Sequence, residues 1–104
     1  MKLPGGGNMQ KMLAQAQQMQ AKLKEEIARI QVEASTGGGM VSVKMNGSKE
    51  VLEVKIEPDA LEDAEMLQDM IRGAVNEAGK RVDEESTAKT QSMLGGMGVP
   101  PGMF

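Results

Sequence analysis

The sequence predicts an α+β fold of order α-β-β-β-α, with a three-stranded antiparallel sheet and two long helices. Three observations predict it. Residues 9–30 repeat apolar side chains at helical spacing, residues 30–56 alternate apolar with polar, and residues 59–82 return to helical spacing over a broader face.

The first helix carries its apolar side chains at Met9, Met12, Ala16, Met19, Leu23, Ile27 and Ile30. Steps of three and four residues make a narrow seam of the coiled-coil kind, not a broad core face. Such a rod needs another helix beside it. In the β region Ile30, Val32 and Ala34 alternate with Gln31, Glu33 and Ser35. After Gly37-Gly38-Gly39, Val41, Val43 and Met45 alternate with Ser42 and Lys44. Asn46-Gly47 then reads as a two-residue hairpin turn in which both positions tolerate positive φ, placing Val41 opposite Leu52. Leu52, Val54 and Ile56 complete one apolar face. Pro58 stops the sheet, and Asp59-Ala60-Leu61-Glu62 reads as a capping box opening the second helix. Leu67, Met70, Ile71, Ala74, Val75, Ala78 and Val82 form a face wide enough to cover a sheet. Gly73 and Gly79 each cost about 1 kcal/mol against Ala within a helix, which points to close packing there. Beyond Val82, DEESTAKTQS has no apolar stripe and reads as an uncovered arm. The end, from Gly95 to Phe104, reads as a Gly/Pro/Met-rich tail outside a single domain spanning residues 1–94.

Composition limits what such a fold can do. Of the 104 residues, 39% are hydrophobic, yet there is one Phe, no Trp and no Tyr, while Met supplies 11. A core filled so adaptably is thin for a chain of this size and favours self-association. Without Cys there is no disulfide or thiolate site, and without His the commonest general base and transition-metal ligand are missing. No nucleophile–base pair stands out, so neither an enzyme nor a small-molecule substrate or cofactor is expected. The acidic run Glu57, Asp59, Glu62, Asp63 and Glu65 suits the start of a helix by complementing its dipole. It lacks calcium-loop spacing, and no metal site is expected. MKLPGGGN has no signal-like apolar core and no stretch is long enough to span a membrane, so a cytoplasmic protein is expected.

Net charge is −3 but unevenly spread: residues 1–31 carry five cations against two anions, residues 57–71 six anions and no cation. The first helix is the basic part of an acidic chain. At about 100° per residue, Lys11, Lys22 and Arg29 fall at roughly 20°, 40° and 20°, a single stripe well away from the seam near 140°. Gln15 and Gln18 share that side. The stripe has the form of a nucleic-acid contact, although a solvated face that includes Glu25 and Glu26 would look similar. Arg72, Lys80, Arg81 and Lys89 scatter around their helix and are weaker candidates.

Several segments together resemble one family, the YbaB/EbfC nucleoid-associated proteins of bacteria. These are MLAQAQQMQAKLKEEIARIQVEASTGGGMVSVKMNG, then IEPDALEDAEMLQDMIRGAVNEAGKR, then GGMGVPPGM, in the family's order and over nearly the full length. The resemblance implies a homodimer with a shared core and helices projecting as tweezer-like arms. It implies double-stranded DNA as partner, bound with little sequence preference, and a place in the nucleoid. It also puts Lys11, Lys22, Lys24, Arg29, Lys80, Arg81 and Lys89 on the DNA side, and Met12, Met19, Leu23 and Ile27 in the dimer seam. A second reading of the same architecture is a dimeric protein-interaction module of the prefoldin kind, without DNA binding. The lack of aromatic platforms favours duplex over single-stranded nucleic acid, because duplex backbone binding needs no stacking.

Overall fold

The computed structural model describes residues 5–95. In chain order the elements are α1 (Gly5–Ala28), β1 (Gln31–Thr36), β2 (Val41–Asn46), β3 (Val51–Ile56) and α2 (Ala64–Gly95). Short 3₁₀ turns at Gly37–Gly39 and Pro58–Glu62 join β1 to β2 and β3 to α2. The expected α-β-β-β-α order therefore holds. Of the expected tail, residues 96–104 lie outside the described residues.

The sheet is antiparallel in the order β1-β2-β3. Its inner face carries Val32 and Ala34 from β1 and Val41, Val43 and Met45 from β2, all buried. α2 lies across these two strands and presents Met70, Ala74, Ala78 and Val82, also buried. Small residues set how closely the helix sits. Ala74 and Ala78 are fully buried, and a Cβ added at Gly73 would come 3.2 Å from Thr36 Cγ2. Thr36 Oγ1 also donates to the Met70 carbonyl at 2.7 Å, tying the end of β1 to the helix. Burying Val41 and Val43 completely stabilises the fold by about 1.5–3 kcal/mol each.

The β2–β3 turn differs from the sequence expectation. Val41 stands opposite Ile56, not Leu52, and Val43 opposite Val54. Asn46 ends β2, and Asn46 N donates to Glu50 O, enclosing three residues. Lys49 takes the left-handed position with φ 63°. This is the three-residue loop closed by an αL residue. The Asn46 side chain braces it, accepting from Ser48 N and Glu50 N at 3.0 Å each. Gly47 serves another purpose: a Cβ there would collide with the Ile27 carbonyl oxygen at the end of α1. At Val41 and Val43 the register shift is four residues and preserves parity, so Val54 and Ile56 stay on the apolar face; a bulge that skips Leu52 then puts Val51 opposite Met45.

Two further expectations are corrected. Asp59–Glu62 is a 3₁₀ turn, and the cap of α2 is Asp63, whose Oδ1 accepts from Met66 N at 3.1 Å. The stretch beyond Val82 is not bare: Ser86, Lys89, Thr90, Met93 and Leu94 are half-buried at helical spacing, and α2 packs there on α1. The positive φ of Gly37, Gly38 and Gly39 explains the triple glycine, since three successive left-handed residues suit no other side chain.

Candidate nucleic-acid interface

α1 and α2 form an antiparallel pair of helices that leaves the sheet at one end, in a molecule 76 Å long and 24 Å across. Lys89 on α2 reaches Glu26 on α1 at 3.6 Å, which fixes their relative level. α2 ends at Gly95, level with about residue 20 of α1 if the helices run side by side at 1.5 Å per residue. The seam divides accordingly. Met19, Leu23 and Ile27 are half-buried beside α2, whereas Met9 and Met12 are 62% and 66% exposed, as is Leu13 at 61%. The inner part of the expected dimer seam thus has a partner within its own chain, and Met12 has none among the described residues.

Lys11, Lys22 and Lys24 are exposed on α1. Lys22 borders a shallow cleft with Gln15, Gln18 and Met19. Lys24 lies on the opposite flank of the helix, about 160° from Lys22 at 100° per residue. Arg29 follows the end of α1 but keeps the helical bond from its N to Glu25 O at 3.1 Å, so it extends the stripe. Its Nη1 lies 3.5 Å from Glu26 Oε1. Among the described residues, Lys11, Lys22, Lys24 and Lys80 have no carboxylate within ion-pairing distance.

The cations of α2 are differently placed. Arg72 is paired with Asp69 at 2.8 Å. Lys80 borders a groove with Met45, Lys49, Val75, Asn76, Gly79 and Asp83, on the hairpin side of the helix. Arg81 points the other way: its Nε faces Glu77 at 3.5 Å and its Nη1 donates to the Glu33 carbonyl of β1. That carbonyl lies on the open edge of the sheet. Glu57 N donates to Met40 O, so even-numbered residues of β2 bond to β3 and odd-numbered ones to β1, and Glu33, opposite Lys44, faces outward. The structure therefore groups Lys11, Lys22 and Arg29 on one helix, brings Lys89 to the base of the same pair of helices, and separates Lys80 and Arg81 from them. Sequence reasoning missed that Glu26, three residues before Arg29, also meets Lys89, because Lys89 is far along the chain on another helix.

No group of acidic side chains among the described residues is arranged to hold a metal ion. No helix among them is long and apolar enough to cross a membrane.

The profile of the YbaB/EbfC DNA-binding family matches residues 5–97. The chain belongs to this family. A nucleoid-associated protein of Acidobacterium capsulatum is 50% identical over 103 residues, covering 92% of this chain and 95% of that protein. One from Koribacter versatilis is 45% identical over 98 residues, covering 92% and 97%. One from Xanthomonas campestris is 45% identical over 100 residues, covering 93% and 94%. In three dimensions the chain is similar to the crystal structure of an uncharacterized protein, HP0035, from Helicobacter pylori. The TM-score is 0.75 and the identity 28%, over 88% of this chain and 99% of that one. Among the described residues, α1 thus carries three of the four cations that have no carboxylate partner.

Proposed function

We propose that two copies of this chain form a non-enzymatic homodimer that holds double-stranded DNA by its phosphates, with little sequence preference. In that role it would contribute to nucleoid organisation, gene regulation and DNA protection. The observation that carries the DNA reading is the inequality of the two helices. Among the described residues, Lys11, Lys22 and Lys24 of α1 are exposed and unpaired, while three of the four cations of α2 already hold a carboxylate. A free cation can neutralise a phosphate and release a counterion without first breaking an ion pair. Gln15 and Gln18 on the stripe add donors for phosphate and sugar oxygens, which position a protein without reading sequence.

The dimer reading rests on β3. Val54 and Ile56 pair with Val43 and Val41 and so share the inner face, but they are 43% and 37% exposed because α2 stops short of them. Val51, which stands opposite the buried Met45, is 45% exposed too, and β3 has an open edge as well. A second copy covers both at once. Two copies carry −6, twice the chain's −3, so long-range attraction to DNA is absent and affinity is modest. The relatives named nucleoid-associated protein support the same cellular place for this chain.

A competition experiment tests the reading. Two unrelated duplexes of equal length should compete with similar affinity at low salt, and sedimentation should give about twice 11.1 kDa. Binding confined to one sequence would point to base contacts, and no binding to either would end the proposal.

A further inference from the structure

Glu26 stands between two cations that the sequence analysis places on the DNA side. Its Oε1 lies 3.5 Å from Arg29 Nη1 and its Oε2 lies 3.6 Å from Lys89 Nζ. The three side chains come from the end of α1 and the middle of the outer half of α2, and all remain in reach of solvent. Glu26 and Lys89 are 35% and 37% exposed, and Arg29 is 73% exposed. A carboxylate and a phosphate ask for the same partners: each offers anionic oxygens to a guanidinium fork and an ammonium. Pairs exposed to this degree are held weakly, so a phosphate arriving at high local concentration can take the place of Glu26.

We propose that Glu26 is a built-in competitor for DNA phosphate, occupying Arg29 and Lys89 in the free protein and restraining affinity. This rests on the reading of the α1–α2 arm as the DNA-binding element. Lys11 and Lys22 make the first contacts, and Arg29 and Lys89 join when a phosphate displaces the carboxylate. The exchange also acts on the arm. Glu26–Lys89 is the one ion pair joining α1 to α2 among the described residues. Its loss leaves the two helices joined by half-buried contacts alone.

The test compares E26Q with E25Q, which removes the same charge one residue away from a side chain that holds no cation. Each is measured in the parent and in an R29Q/K89Q background, by titration of a fluorescent duplex at low salt, with melting curves to verify folding. E26Q should tighten binding about threefold to tenfold in the parent, the range expected when two exposed pairs are released. In the R29Q/K89Q background that gain should fall away, whereas the effect of E25Q should be the same in both backgrounds. A gain from E26Q that persists without Arg29 and Lys89 would show only a general charge effect and overturn the proposal. Unchanged or weaker binding by folded E26Q would overturn it too. Failure of the parent to bind duplex would instead remove the underlying DNA reading, so the two failures are distinct.

Discussion

β2 and β3 are neighbouring strands of six residues, β2 alternating apolar with polar throughout and β3 from Leu52 onward, and they end in opposite environments. Val43 is fully buried beneath α2, while its cross-strand partner Val54 is 43% exposed. The difference does not lie in the strands. α2 is braced towards β1, by Thr36 on Met70 and by Arg81 on Glu33, and so it covers β1 and β2 and leaves β3 bare. A strand's alternation states which face is apolar. What covers that face is decided elsewhere in the chain, or in another chain.

Substitutions can break this comparison or sharpen it. The largest effect is expected for Val43→Asp, which puts an unpaired carboxylate into a closed site. A loss of roughly 3–5 kcal/mol is a large share of the stability of a small domain, and circular dichroism should show an unfolded chain. Val54→Asp separates the two possible states of β3. On a free surface it should change stability by no more than about 0.5 kcal/mol. Beneath a second copy it should dissociate the dimer, and sedimentation at micromolar concentration should then show a monomer near 11.1 kDa or unfolded chain. We expect dissociation. Gly47→Ala acts where the β2–β3 turn meets α1: its Cβ collides with the Ile27 carbonyl, and thermal melting should show a loss of about 1–3 kcal/mol. The smallest effect is expected at Lys49, the left-handed residue of that turn. Lys49→Gly relieves about 1 kcal/mol of backbone cost and gives up an exposed ion pair to Asp83 worth about as much or less. Melting should hardly move.

Much of the fold was legible because it depends on periodicity. Helical spacing gave α1 and α2, alternation gave three strands, and the apolar positions of α2 marked its face towards the sheet. The close packing expected at both glycines holds at Gly73 and not at Gly79, where an added Cβ would meet nothing within 4 Å. The hairpin register was not legible. Any even shift preserves parity, so the alternation of Val41, Val43 and Met45 accepts Ile56 opposite Val41 as readily as Leu52. Asn46-Gly47 misled because each residue serves another purpose, Asn46 as the brace of the loop and Gly47 as room for Ile27. Asp63 was overlooked as the cap of α2 because Asp59 and Glu62 carry the more familiar spacing. At the interface, the stripe of Lys11, Lys22 and Arg29 needed only the helical angle. The hydrogen bond from Arg81 to the Glu33 carbonyl and the meeting of Lys89 with Glu26 needed the tertiary fold, since local patterns say nothing about residues so distant in the chain.

The central claim is that the exposed cations of α1 hold duplex DNA through its phosphates. The most direct test is the slope of log K against log salt for the parent and for Lys11→Glu/Lys22→Glu, with sedimentation confirming that both are folded dimers. Each phosphate neutralised contributes about −0.9, so Lys11, Lys22 and Arg29 from two copies would contribute about −5 to the parent's slope. The account predicts that the double variant binds unrelated duplexes equally poorly, with a slope flattened by about 3–4. A folded double variant that binds every duplex as tightly as the parent, with the same slope, would contradict it.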